Sequence, residues 1–329
     1  MTILFSHNTA RRYWEFVGVS GRHGVVGGDS VLREASGRKS AIERCGIDLP
    51  GDEGRGPEWL ARPVDLMVPT AGSRSKDPAV SNHVCAAGLP PSSVNRIAED
   101  AYVTSPELTF VNLGRTLGVP ALAEYAMELC GRYAVTPWRE CGFEPRAPLC
   151  DACGLEEFAR GCGGVHGMRR AIEAMGIAGE GSRSPAETTL YLLLSMPREM
   201  FGYGLPRPLL NQRIDLAPTA QTRLRKEYLL VDLLFADERL VVEYDSRAFH
   251  NVPAKLDSDD DRREVLQDMG YEVVVVRAER LSNFRRFDDL VRFTIGKRLG
   301  IEVPPMDPRF ARGVQNLRED LALASGACS

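Results

Sequence analysis

The chain has no apolar stretch long enough to be a bilayer span. Its densest runs, Leu229–Phe235 and Val273–Val276, fall far short of the roughly 20 residues that a span requires. It also lacks an excess of either charge. With 41 basic and 45 acidic residues the formal charge is −4, which excludes a polybasic coat and leaves any nucleic-acid contact to a local patch. The opening Met1–Asn8 has no basic region leading into an apolar core, so a cytoplasmic protein with no membrane partner is expected. Eight cysteines in 329 residues are too few for a disulfide scaffold of this length. Hydrophobic residues at 43% and charged residues at 26% are ordinary globular proportions, and the length exceeds what one core needs. Two domains are expected.

Motif chemistry is also sparse in the first half. Gly21-x-x-Gly24-x-x-Gly27 has neither the dinucleotide glycine order nor a following Gly-Lys-Ser/Thr, so it reads as a loop and not as a phosphate cradle. Cys150-Asp-Ala-Cys153 has the spacing of half a zinc knuckle. Cys141 and Cys162 stand alone and His166 follows four residues later, so the choice lies between a structural zinc and ordinary small thiols. Helices are expected over residues 6–17, with Ser6 as cap, over 30–45, from Ser105-Pro106 onward, from Pro120 to Cys130, and over 166–175. Short strands are expected at Pro63–Pro69 and Tyr102–Thr104. This half reads as a small mixed α/β or mainly helical domain with no concentration of catalytic residue types. The expected division is an accessory domain over 1–145, a linker over 146–181, a second domain over 182–312 and a tail over 313–329.

The periodic signals sharpen after Gly181. Ser184-Pro185-Ala186-Glu187 opens a helix through Leu190–Leu194. Strands follow at 212–216, 227–235 and 239–245, then an acidic-headed helix at 258–269 stopped by Gly270, and a buried strand at 271–277. The last strand would join a sheet after a helical crossover, giving an α/β fold with a mixed sheet flanked by helices. By period-2 alternation Leu230, Asp232 and Leu234 share one face, and Val241, Glu243 and Asp245 share one face of the next strand. A four-residue loop at Ala236–Arg239 sets Asp232 opposite Glu243, with Cβ atoms roughly 5 Å apart, whereas a two-residue loop would shift the partner by two.

Carboxylates this close inside apolar strands need either a cation among them or a proton on one of them. Hard oxygen ligands suit Mg²⁺ or Mn²⁺, an ion able to lower the pKa of a bound water and to stabilise a phosphorane-like transition state. The plainer reading is an edge hairpin whose acids are solvated. Glu187 has an equally plain reading as the third-position acid of a capping box. Asp259 and Arg262 could form only a one-turn salt bridge. Arg223, Arg225, Arg285, Arg286, Arg292 and Arg298 are either phosphate contacts or scattered surface charge.

Taken together, Glu187, Asp232, Glu243-Tyr244-Asp245, His250 and Asp259-x-x-Arg262-x-x-x-Leu266-x-x-x-Gly270 resemble the very-short-patch-repair-like branch of the PD-(D/E)XK nuclease superfamily over residues 184–297. The stretch Pro63-Val-Asp-Leu-Met-Val-Pro, with Val103–Leu113, is similar to AbiEi-type antitoxin-like proteins. The resemblance implies a restriction-endonuclease-like domain that cuts DNA with Mg²⁺ or Mn²⁺, in a defence or toxin-antitoxin setting. Asp232, Glu243 and Asp245 would be the metal ligands, Glu187 would complete the acidic cluster, and His250 and Arg262 would shuttle protons or stabilise phosphate. The N-terminal half would dock DNA or a partner protein. Asp245 stands where the superfamily usually has Lys. That departure keeps a second expectation open: a catalytically inactive, DNA-binding antitoxin or autoregulator on the same fold.

Overall fold

The computed structural model describes residues 2–22, 24–49, 57–245 and 253–325, with backbone only at 253–259 and 322–325. The chain divides into two compact units, residues 1–178 and 179–325.

The first unit runs β1 (Ile3–Phe5), α1 (His7–Val17), β2 (Val25–Val26), α2 (Gly28–Glu34), α3 (Lys39–Arg44), β3 (Val64–Val68), β4 (Val80–Val84), β5 (Val94–Ala98) and β6 (Ala101–Thr104). It continues with α4 (Pro106–Leu113), α5 (Val119–Leu129), β7 (Tyr133–Val135), β8 (Phe143–Pro145), α6 (Ala152–Gly161) and α7 (Met168–Met175). Six of these strands make one mixed sheet in the order β2-β5-β6-β1-β3-β4. Its centre is fully buried: Ile3, Leu4, Phe5, Val64 and Leu66 have no exposed surface. Trp14 ties α1 to this sheet by donating its indole N–H to Thr104 O at 2.8 Å. At α4, Ser105 caps as expected, accepting the N–H of Leu108 at 3.2 Å, with Pro106 at the first helical position.

Three expectations for this unit need correction. The helix expected over 30–45 is two helices, broken at Gly37, where a Cβ would lie 2.4 Å from Asn82 Oδ1 and 2.8 Å from Ser73 O. Ser6 does not cap α1 through its side chain; its hydroxyl lies 3.0 Å from His7 Nδ1 instead. Residues 146–178 are not a linker. They carry α6 and α7, whose Leu155, Ala159, Ala171 and Ala174 are buried, because α7 packs on α5 and α6 on α4.

The second unit runs α8 (Pro185–Ser195), β9 (Leu209–Asp215), α9 (Pro218–Leu224), β10 (Tyr228–Phe235), β11 (Leu240–Asp245), α10 (Pro253–Asp268) and β12 (Glu272–Arg277). After these come α11 (Ala278–Ser282), α12 (Phe284–Leu290), a π-helical turn at Val291–Ile295, α13 (Gly296–Arg298) and α14 (Pro308–Ser325). The sheet order is β12-β11-β10-β9. The first three strands in sequence are antiparallel, and β12 lies parallel to β11 after the α10 crossover. The protein is thus mixed α/β, with mixed sheets flanked by helices. The segment expected as a tail belongs to α14, whose Val314, Leu317 and Leu321 are buried. Among the described residues no helix is long and apolar enough to cross a membrane.

Candidate active site

The hairpin between β10 and β11 has the four-residue loop: Phe235 pairs with Leu240, Leu234 with Val241 and Leu233 with Val242. Arg239 makes the turn possible with φ +49°. Continuing that register sets Asp232 opposite Glu243, but the ladder stops one pair short of them. The pairing with β9 also skips this position, matching Val231 with Gln212 and Leu233 with Leu210 but leaving Asp232 and Asn211 unbridged, with Asn211 at φ +49°. Strict alternation along β10 slips here as well. Leu229 and Val231 join Leu234, Val241, Val265 and Leu266 in one buried cluster, a step of three where alternation takes two. Leu230 and Leu234 therefore do not share the face expected for them.

Buried backbone groups released by such a fork need new partners, and side chains supply them. Tyr244 N–H donates to Asp232 Oδ2 at 2.8 Å. Arg262, from α10, donates through Nη2 to Leu230 O and to Glu243 Oε1, the latter at 2.6 Å. Two of the expected site residues thus hold the fork where the ladder has ended.

Glu187 approaches from the first turn of α8. Its amide donates to Ser184 Oγ at 3.2 Å, and its carboxylate accepts Ser184 Oγ–H at 2.9 Å. The return bond goes to the amide of Arg183 at 2.9 Å, one residue before the cap. The capping reading is therefore structurally realised, yet the same carboxylate also enters the site. Asn211 Nδ2 donates to Glu187 Oε2 at 2.7 Å and to Gly181 O at 3.1 Å. Asn211 escaped sequence reasoning. It lies one residue before the strand expected at 212–216, and nothing in that pattern marked it.

Glu187, Asp232, Glu243, Asp245 and Arg262 line one open cleft of about 320 Å³ with Arg183, Asn211, Leu230, Tyr244 and Arg263. Burial pushes Asp232 from its ordinary 3.8 up to about 7, with the charges of Glu187 and then Glu243 adding to the rise, against the Tyr244 amide and Arg262. Asp232 Oδ1 accepts no hydrogen bond among the described residues. The expected convergence of Asp232, Glu243 and Asp245 as a ready ligand set is not found. No three His, Cys, Asp or Glu side chains among the described residues are grouped to hold a metal. The physical reason is that Asp232 is turned to the Tyr244 amide and Glu243 to Arg262. His250 and the side chain of Asp259 lie outside the described residues.

Several of the arginines offered as phosphate contacts are already paired: Arg223 with Asp261 and Glu264, Arg292 with Asp288, and Arg298 with Glu272. The zinc half-knuckle does not assemble among the described residues either. Cys150 Sγ lies 3.6 Å from both Arg22 Nη2 and Glu107 Oε1, while the exposed Cys153 meets Glu157. His166 instead joins His7, His83 and Arg115 around a cavity of the first unit, a gathering of reactive types that contradicts the expectation of none there. Comparison with protein-family models, with curated proteins and with solved structures finds no match.

Proposed function

We propose that the second unit is a restriction-endonuclease-like domain that hydrolyses DNA phosphodiesters with Mg²⁺ or Mn²⁺, as its resemblance to very-short-patch-repair-like nucleases implies. The observation carrying this reading is Asp232. A carboxylate kept at a fork in the sheet, beside two further carboxylates, is costly for a mere scaffold. Burial raises its pKa first, and the charges of Glu187 and Glu243 raise it further, an unfavourable setting for the ionised form that a divalent cation would offset.

The donor set fits a hard cation in kind, since Asp232, Glu243 and Asp245 offer only oxygen. Asp232 and Glu243 would hold the ion, with Asp245 as a further ligand or water-orienting group. When bound, the ion supplies Lewis-acid charge stabilisation to the phosphate and acidity to a water. The chain's own residues do the remainder. Arg262, now bonded to Glu243, would give its guanidinium to a phosphate oxygen. Arg183 and Arg263 line the same cleft and favour the approach of a polyanion. The attacking water's oxygen bonds to phosphorus as one bridging P–O bond breaks, and Asp245 accepts the water's proton. His250, by the same resemblance, would return a proton to the leaving oxygen.

The test is plasmid and single-strand cleavage with and without Mg²⁺ or Mn²⁺, using the wild type, Asp232→Ala and Glu243→Ala. Metal-dependent cutting lost in both variants is expected. The bond between Glu243 and Arg262 favours a second reading, an inactive DNA-binding antitoxin or autoregulator in which that pair is a permanent clasp. DNA binding with no cutting under any metal condition would select it.

A further inference from the structure

The first unit contains a second site that the cleavage chemistry does not use. A cavity of about 80 Å³ is lined by His7, Met67, His83, Cys85, Asn112, Arg115 and His166 among others. Three of the chain's five histidines therefore meet at one place. They come from separate parts of the unit: His7 from the β1–α1 junction, His83 from β4 and His166 from the turn before α7. Asn112 and Arg115 are added from the end of α4. The His7 and His83 rings are stacked, with centroids 3.5 Å apart. His7 holds its place at φ +48°, a conformation non-glycine residues rarely adopt.

The hydrogen-bond inventory shows what is missing. Asp65, itself buried, accepts His83 Nε2–H at 2.7 Å, so that carboxylate is already in use. His7 Nδ1 is taken by Ser6, which leaves Nε2 as its other polar atom. Asn112 is 3% exposed, and its Nδ2 finds no partner. No carboxylate pairs with the Arg115 guanidinium among the described residues. Two unmet groups can be assigned, the buried Asn112 Nδ2 donor and the exposed Arg115 cation, and an occupant that brings acceptors and negative charge suits both. A metal ion does not answer this demand, and the described side chains form no ligating group. Water would satisfy Asn112 and solvate the exposed Arg115, whereas an oxyanion meets both with one group. The volume is also several times the roughly 10–15 Å³ that one water needs. The candidate donors come from three separate places, His7, His166 and the end of α4, instead of forming a single planar fork, which favours a tetrahedral oxyanion over a carboxylate.

We infer that this cavity is a phosphate-binding site, formed by Asn112, Arg115, His7 and His166 with the Asp65-held His83 as its wall. It takes a phosphate group either from the end of a nucleic acid or from a small phosphorylated compound. The neutral His7 fits such a role. Burial, then His83 and Arg115, hold its imidazole well below the ordinary range, and an anion alongside would lift it back.

The experiment follows histidine NMR signals of the full chain during titration with inorganic phosphate. Parallel oligonucleotide arms carry 5′-phosphate or 5′-hydroxyl ends. Saturable one-to-one binding that shifts His7 and His83 and raises the His7 titration midpoint is expected. Affinity should fall about tenfold or more in Arg115→Gln, an exposed position where folding is not at stake, and in Asn112→Asp. Asp232→Asn should bind phosphate like the wild type, which separates this site from the cleft of the second unit. Tighter binding of the 5′-phosphorylated strand than of its hydroxyl counterpart names a nucleic-acid end as the source; no discrimination names a small phosphate compound. Histidine signals unmoved by saturating phosphate, or moved equally in Arg115→Gln, would overturn the inference and leave a water-filled cavity.

Discussion

Replacing Asp232 by Asn tests the electrostatics of the cleft without changing its shape. The amide keeps an oxygen for the Tyr244 N–H, now 2.8 Å from Oδ2, but can carry no charge. In the wild type this carboxyl rises from 3.8 to about 7 on folding. Below pH 3.8 folded and unfolded chains are both protonated here, and the proton costs nothing. As pH climbs, the unfolded chain releases its proton first, so stability is lost steadily until the folded carboxyl ionises near 7, and is then constant. The full shift of about three pH units, at about 1.4 kcal/mol each, sets an upper bound near 4 kcal/mol. Asp232 retains some exposure, so roughly 2–4 kcal/mol is the working range. For a domain of this size that corresponds to about 5–10 °C in Tm. Thermal melts in a metal chelator should therefore show Asp232→Asn equal to wild type near pH 4 and more stable by that margin at pH 8. Added Mg²⁺ should then raise the wild type at pH 8 by mass action and leave the variant where it was. A difference in Tm that stays constant from pH 4 to pH 8 would refute the claim that Asp232 sits in an uncompensated acidic site.

Glu187→Gln should lower the Asp232 titration midpoint, read by carbon NMR, because the largest charge raising it is gone; an unchanged midpoint would remove Glu187 from the acidic cluster. Arg262→Met leaves Leu230 O and the Glu243 carboxylate without their donor, and should cost about 1–3 kcal/mol in chemical denaturation at pH 7. In the first unit, Glu124 is buried with neither carboxylate oxygen hydrogen-bonded, and burial raises its pKa well above the ordinary range. Glu124→Gln should therefore stabilise the protein by about 1–3 kcal/mol at pH 8, with the gain shrinking as pH falls toward 4.5. Gly167 has φ +101°, and a Cβ there would lie 2.1 Å from Val111 O. Gly167→Ala should lower stability by about 2 kcal/mol or more, and a neutral result would mean that the α4–α7 contact yields easily.

Some of this was legible in the sequence and some was not, for identifiable reasons. The second unit announced itself because its strands are apolar runs broken by single acids and its helix starts carry Ser-Pro. Local rules place β10, β11, β12, α8 and α10 to within a few residues, apart from the start of α10, which lies five earlier than expected. The four-residue loop, and with it the opposition of Asp232 and Glu243, was one of two readings that turn length alone permits. The fork was hidden. It depends on Asn211 taking a left-handed conformation in a neighbouring strand, and strand alternation carries no record of that. The six-stranded sheet of the first unit was mostly hidden too. Its strands have two to five residues, too short for periodicity to show, and are paired across long sequence separations: Ile3 meets Ala101, and Val64 meets Val80. The histidine cavity shares that cause. Positions 7, 83 and 166 have no spacing in common, and only the β1–β3–β4 order with α4 and α7 behind it brings them together.

The fork also explains why the cleft lies where it does. A β-ladder interrupted in mid-strand must satisfy the released amide and carbonyl, and neutral side chains or water do so without burying charge. This chain uses a carboxylate on one side and a guanidinium on the other, so one ion pair and one buried acid replace two neutral backbone bonds. For stability alone that is a poor exchange, since Asp232 resists ionisation and Glu243 must be held by Arg262. The arrangement does leave the fork able to open in steps. On the proposed function, a phosphate would compete with Glu243 for Arg262, and a cation would compete with Arg262 for Glu243. Phosphate on Arg262 would then free Glu243 for the cation, and a cation on Glu243 would free Arg262 for the phosphate. Cation and polyanion should therefore bind with positive coupling, and by linkage the enhancement must be the same whichever is added first. Titrating duplex DNA with Ca²⁺ present and absent, then Ca²⁺ with DNA present and absent, measures both factors without cleavage. Equal factors well above one, reduced toward one in Arg262→Met, are the expected result, whereas independent binding would mean that the Arg262–Glu243 pair stays closed.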